Sequence, residues 1–208
     1  EAAGGPDALI LDVPNAGGAD SVSSNMGQPW RNNGARNVAV LFTRNRRVAD
    51  SDSFTAIIRK ASGVWFEGGR HFKIVQDYGG TKTEREIMAV LERGGVVGGS
   101  SAGATILGDF MVRGAPSNNN MIMDYPGYQT AFGYLRNVAI DQHVDDDLVG
   151  PEPIASRKGL LDGAPGELVA EAHVRGGAVE HAAGSFRARR SPRCPPRRHG
   201  TCHQRHDN

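Results

Sequence analysis

The residues best placed to do chemistry are Gly99-Ser100-Ser101-Ala102-Gly103. This Gly-x-Ser-x-Gly run follows an apolar stretch, Val96-Val97, and precedes 102–107 (AGATIL), which reads as a helix. In that setting the pattern is a nucleophile elbow: a sharp strand-to-helix turn forces the serine into a strained conformation and projects its hydroxyl above the sheet. The small residues Gly98, Gly99, Gly103 and Ala104 around it avoid clashes. The Ala102 amide, at the helix start, can meet an oxyanion. The plain alternative is a glycine-rich turn with an idle serine. A second constellation, Asp141-Gln142-His143, follows the apolar run 138–140 (VAI). There His143 can act as general base for Ser101, with Asp141 two residues earlier on the same side of a continued strand. His143 is one of two histidines in the first 172 residues; the other, His71, is the alternative base. Gly68-Gly69 closes another apolar run and lets backbone N–H groups approach a substrate as a second oxyanion donor. Arg70 beside it can pair with a substrate carboxylate. Spacing alone thus reaches a serine hydrolase.

These residues need a scaffold, and the chain reads as α/β. Strands are expected at 8–13 (ALILDV), 37–42 (NVAVLF), 64–66 (VWF) and 96–97, with a fifth at 138–140. A weak helix is expected within 20–33, where Gly27 and Pro29 interrupt the pattern. A second should run from a Ser51 or Asp52 cap to Lys60, with Phe54, Ile57 and Ile58 on one face. The clearest is 81–93 (TKTEREIMAVLER), with Thr81 and Glu84 at capping-box spacing and Ile87, Val90 and Leu91 on one face. Strands alternating with helices imply a mainly parallel sheet covered on both faces, with its site at the carboxyl ends of the strands.

The 208 residues suit one domain, here 1–186, followed by a basic tail, 187–208. The tail carries seven arginines and one acid, whereas the remainder has a net charge of −5. Ala188 is its only aliphatic residue, which predicts disorder. Cys194 and Cys202 both lie in it, near His199, His203 and His206, but their spacing matches no usual zinc pattern, so no metal is expected. No aromatic residue interleaves with the tail arginines, so no specific nucleic-acid partner is expected either. Apolar runs are far shorter than the ~20 residues of a membrane-spanning helix, so no membrane partner is expected.

The segments 63–71 (GVWFEGGRH), 94–104 (GGVVGGSSAGA) and 137–143 (NVAIDQH) resemble the cyanophycinases, which belong with the aspartyl dipeptidase (peptidase E) family of serine peptidases. The resemblance covers about residues 4–143. It implies a three-layer α/β fold similar to the class I glutamine amidotransferases. It also implies hydrolysis of aspartyl peptide bonds, with cyanophycin (multi-L-arginyl-poly-L-aspartate) cut to β-Asp-Arg dipeptides. Carried over by residue, Ser101 is the nucleophile, His143 the base, and Gly69 and Ala102 the oxyanion donors. Asp141 and Gln142 lie beside the substrate, as do Arg70 and His71, although the family usually has Gln where His71 stands. No cofactor is implied, and family members often form homodimers.

The chain also departs from this pattern. The family's triad acid precedes the histidine, yet 114–120 (GAPSNNN) has no carboxylate. Asp124 is the nearest replacement and Asp141 the next. After His143 the family has an Arg-x-Arg segment, whereas this chain reads Val144-Asp145-Asp146-Asp147-Leu148. Residues 144–186 match the family poorly, and the family's first strand would precede Glu1. The expectation is a gene fragment, its sheet incomplete at both ends, with a shifted reading frame after His143. Two other readings stay open: a small-peptide aspartyl dipeptidase, and a catalytically inactive binding module.

Overall fold

The computed structural model describes residues 2–123, 125–140, 167–171 and 184–187. Its centre is a six-stranded sheet made of β1 (Ile10–Val13), β2 (Val38–Val40), β3 (Gly63–Phe66), β4 (Val96–Ser100), β7 (Glu167–Glu171) and β8 (Gly184–Arg187). The order is β2-β1-β3-β4-β7-β8. All pairs are parallel except β7–β8, which is antiparallel. Between β4 and β7 a two-stranded antiparallel unit forms from β5 (Arg113–Ala115) and β6 (Asn118–Ile122). The α/β class expected from the sequence is therefore the class observed.

Period-two alternation decides the two faces of the sheet. Leu11, Val13, Val64, Phe66 and Val97 point to one side and are buried. They share a core with Ile74 and Tyr78 of α4 (His71–Tyr78) and with Ile87, Val90 and Leu91 of α5 (Lys82–Glu92). Phe66 also packs edge-on against Phe132, with centroids 5.9 Å apart. Ile10, Trp65 and Val96 point to the other side and are only half-buried. The cover there is α1 (Gln28–Asn32), whose Trp30 meets Trp65 at 5.3 Å in a T-shaped contact.

Four local expectations needed correction. The helix looked for within 20–33 is reduced to α1, because Gly27 at φ +73° fixes its start. The helix expected from Ser51 to Lys60 begins with a Ser51 cap, whose hydroxyl accepts the Phe54 N–H at 3.3 Å. It then splits into α3 (Asp52–Thr55) and a 3₁₀ turn, Ile58–Lys60, after the separate short α2 (Arg46–Ala49). Arg93 Nη2 donates to the Ile58 and Ala61 carbonyls, tying α5 to the end of the 3₁₀ turn. At α5 the expected capping box is displaced: Glu84 accepts the Gly80 N–H at 2.5 Å, while the Thr81 hydroxyl donates to the Tyr78 carbonyl. Finally, 138–140 adds no strand to the main sheet. Ala139 makes one isolated bridge to Phe110, and Asp109 N–H donates to the Val138 carbonyl at 2.8 Å.

Candidate active site

Ser101 stands between β4 and α6 (Ala102–Thr105) with φ 52° and ψ −120°. This is a backbone region that L-residues rarely occupy and that costs about 1–3 kcal/mol. What imposes it is the closeness of helix to sheet. A Cβ on Gly103 would collide with the Phe66 carbonyl, and one on Gly99 with the backbone of Gly103. With both positions glycine, α6 seats directly on β3 and β4, so the chain must reverse within one residue. Ala102 opens α6, so its N–H has no acceptor four residues back within the helix. Ser101 itself is half-buried.

Gly68 lies alongside: a Cβ there would be 3.2 Å from the Ser101 Cβ and 3.7 Å from its Oγ. The strap Gly68-Gly69 continues from β3. Gly69 is exposed, at φ +139°, pressed against the Ala16 carbonyl, which accepts the Arg70 N–H at 2.8 Å. The structure therefore brings Gly69, Ser101 and Ala102 together at the carboxyl ends of β3 and β4.

Arg70 is half-buried. Its Nη2 donates to the Ala115 carbonyl, and its guanidinium lies 5.3 Å from the centre of the Phe72 ring. His71, the first residue of α4, is buried at 4% exposure with its imidazole packed against Gly114. Both side chains thus touch the β5–β6 unit. His143, Asp124, Asp141 and Gln142 lie outside the described residues. The run that precedes residues 141–143 is tied to α6, the helix that follows Ser101, since Thr105 Oγ1 donates to the Ile140 carbonyl at 3.2 Å.

Two sets of supporting residues had escaped the sequence reading. Residues 14–19, after β1, are held by a buried polar network. Asn15 Nδ2 donates to Asp77 Oδ2 at 2.8 Å and to the Thr43 carbonyl at 3.0 Å. Arg44 pairs with Asp77 at 2.6 Å and donates to the Asn15, Gly17 and Ala19 carbonyls. This loop presents Ala16 to the strap. The second set is Asp12 and Glu67. Asp12 is fully buried and accepts the Gly27 N–H at 2.7 Å. Burial and the Asp12 charge push the Glu67 carboxyl up to about 7, and burial raises Asp12 as well. Glu67 lies within the segment 63–71 (GVWFEGGRH), but nothing in that segment pairs it with Asp12. The available signal was register: Asp12 pairs with Trp65, two residues before Glu67 on the same face.

Among the described residues no three His, Cys, Asp or Glu side chains form a group that could hold a metal ion. No helix among them is long and apolar enough to cross a membrane.

The sequence pattern of peptidase family S51 matches residues 3–157, which include β1 to β6 and every residue of the candidate site. The chain belongs to peptidase family S51. The match continues past His143, where the resemblance read from the motifs stopped. Among curated relatives, the cyanophycinase of Synechococcus elongatus is 29% identical over 143 residues, covering 68% of this chain and 44% of its own length. That of Geminocystis herdmanii is 25% identical over 143 residues, covering 68% and 53%. The chain thus spans about half the length of the curated relatives it matches. The crystal structure of a peptidase from an acI-B1 actinobacterium superimposes with a TM-score of 0.51 at 22% identity, covering 79% of this chain and 67% of that one. That likeness supports the α/β fold of this S51 chain.

Proposed function

We propose that this member of peptidase family S51 is a serine peptidase that hydrolyses aspartyl peptide bonds, with cyanophycin as its substrate and β-Asp-Arg dipeptides as products. The observation that carries the reading is Ser101 at φ 52° on a strand-to-helix turn, beside Gly68-Gly69. The choice of substrate rests on the relatives named cyanophycinase.

In this reading Ser101 Oγ attacks the carbonyl carbon of the scissile amide while His143 takes its proton. Charge developing on the carbonyl oxygen is met by the Gly69 and Ala102 amides. The C–N bond then breaks, and His143 returns the proton to the departing amine. Water, deprotonated by His143, attacks the acyl-serine ester, and Ser101 is regenerated. Asp124 or Asp141 orients the imidazole. Arg70 offers its guanidinium to a substrate carboxylate, and Asp141 offers a carboxylate to the arginyl side chain. No metal is required for these steps.

The test is dipeptide release from purified cyanophycin by the parent and by Ser101→Ala, with circular dichroism on both. The expected result is release by the parent and none by a folded S101A. Hydrolysis of Asp-X dipeptides without action on the polymer would move the substrate to small peptides. Equal rates in S101A and parent would overturn the serine mechanism.

A further inference from the structure

Two carboxyl groups sit behind the strap, and nothing in the proposed mechanism uses them. Asp12 lies on β1 and Glu67 just after β3, on adjacent parallel strands and on the same face of the sheet. Asp12 is fully buried. Its Oδ2 is committed to the Gly27 N–H, and its Oδ1 is buried without a well-formed hydrogen bond, with the Trp30 indole and the Glu67 carboxyl as polar neighbours. Arg31 is the one charged group of opposite sign acting on Asp12 among the described residues, and its guanidinium already donates to the Met26 and Val38 carbonyls. Two ionised carboxylates cannot remain in contact at such a site, because burial and mutual repulsion both disfavour the second charge. A single proton between them satisfies Oδ1 and removes the repulsion.

We propose that Asp12 and Glu67 share one proton, and that this pair holds the Gly68-Gly69 strap in position beside Ser101. Both are positioning residues, and their relevance to catalysis rests on the proposed serine mechanism. Glu67 is covalently joined to the strap. Its N–H donates to the Val13 carbonyl at 3.0 Å, and the Arg70 N–H donates to Ala16 at 2.8 Å, so these two amides bracket the strap. Loss of the shared proton drives Glu67 away from Asp12 and pulls on the first of these anchors.

The sign follows from the direction of the shift. Glu67 holds its proton up to about 7 in the folded chain, against an ordinary 4.5. Its contribution to stability is therefore complete below 4.5 and is lost as pH rises through about 7.

The test is amide hydrogen exchange across this window in the full chain and in Glu67→Gln, corrected for intrinsic exchange. The carboxamide introduced by E67Q keeps a donor toward Asp12 but cannot ionise. In the parent, protection of the Glu67 and Arg70 amides is expected to fall by up to about tenfold for each pH unit between 4.5 and about 7 and to level off above, and in E67Q to stay level throughout. Asp12→Asn, which retains an acceptor for Gly27 but removes the neighbouring charge, is expected to shrink the fall, since burial alone then raises Glu67, and serves if E67Q fails to fold. Flat protection in the parent, or a variant that tracks the parent, overturns the pair. Labelling of Ser101 by an active-serine phosphonate is followed in the same samples. If Ser101 stays unlabelled at every pH while protection still follows Glu67, the serine reading fails and the proton-sharing pair stands.

Discussion

The backbone of Ser101 carries a cost that its side chain alone does not explain. A residue with a Cβ at φ 52° is strained by about 1–3 kcal/mol, whereas glycine adopts such angles freely but loses about 0.5–1 kcal/mol more entropy on folding than alanine. Strain exceeds entropy in that comparison. Ser101→Gly is therefore expected to be about 1 kcal/mol more stable than Ser101→Ala, although both lack the hydroxyl and both should be inert. Urea unfolding of the two variants checks this; equal midpoints would mean that the turn is not strained. The sharp turn at Ser101 was legible in the sequence from its small neighbours: glycine at 99 and 103 is what lets β3, β4 and α6 touch. The Asp12–Glu67 pair was not legible. A lone acid in ALILDV reads as the polar end of a strand, and only the pairing of β1 with β3 makes it a partner of Glu67.

At the scale of elements, the candidate site depends on α4 for more than His71, the first residue of that helix. Asp77 on α4 is 6% exposed at its side chain and Arg44 is 25% exposed, so their pair is largely shielded from water. Removing one partner of such a pair leaves a buried charge uncompensated. Asp77→Ala is thus expected to cost about 3 kcal/mol, and Asp77→Asn, which keeps an acceptor for Asn15 and Arg44, clearly less. Because Arg44 and Asn15 fix residues 14–19, and Ala16 there accepts the Arg70 N–H, D77A should also slow phosphonate labelling of Ser101 under conditions where the chain is folded. Unchanged labelling in D77A would sever α4 from the site. This helix was also the main element that periodicity did not disclose. Its buried positions are His71, Ile74, Asp77 and Tyr78, half of them polar or charged, so its apolar stripe is interrupted. The strands β1 to β4 were readable because each is a short apolar run bounded by turn residues. The run 138–140 shares that appearance, but its partners are the loop residues 108–110 rather than a strand of the sheet.

The whole molecule has two poles. At the carboxyl ends of β1, β3 and β4 lie the 14–19 loop, the strap and Ser101, as a parallel sheet requires of a site. At the amino ends lies an apolar cavity of about 390 Å³, lined by Pro6, Ile10, Trp30, Gly63, Trp65 and Val96. Ile10, Gly63 and Val96 are the first residues of their strands, so the cavity is separated from Ser101 by the length of β4. Packing there supports the sheet at a distance from Ser101, with Trp30 the one residue it shares with the surroundings of Asp12 among those named. Ile10 is only half-buried, so Ile10→Ala should fall at the lower end of the range for such truncations, about 2 kcal/mol. Changes at separate sites with no shared partners are close to independent. The labelling rate of Ser101 in I10A should therefore match the parent at temperatures where both are folded, while its urea midpoint falls. A labelling rate that declined along with stability would mean that the two ends of the sheet act as one unit. The strap, the elbow and the amino-end packing would then have to be treated as a single cooperative structure.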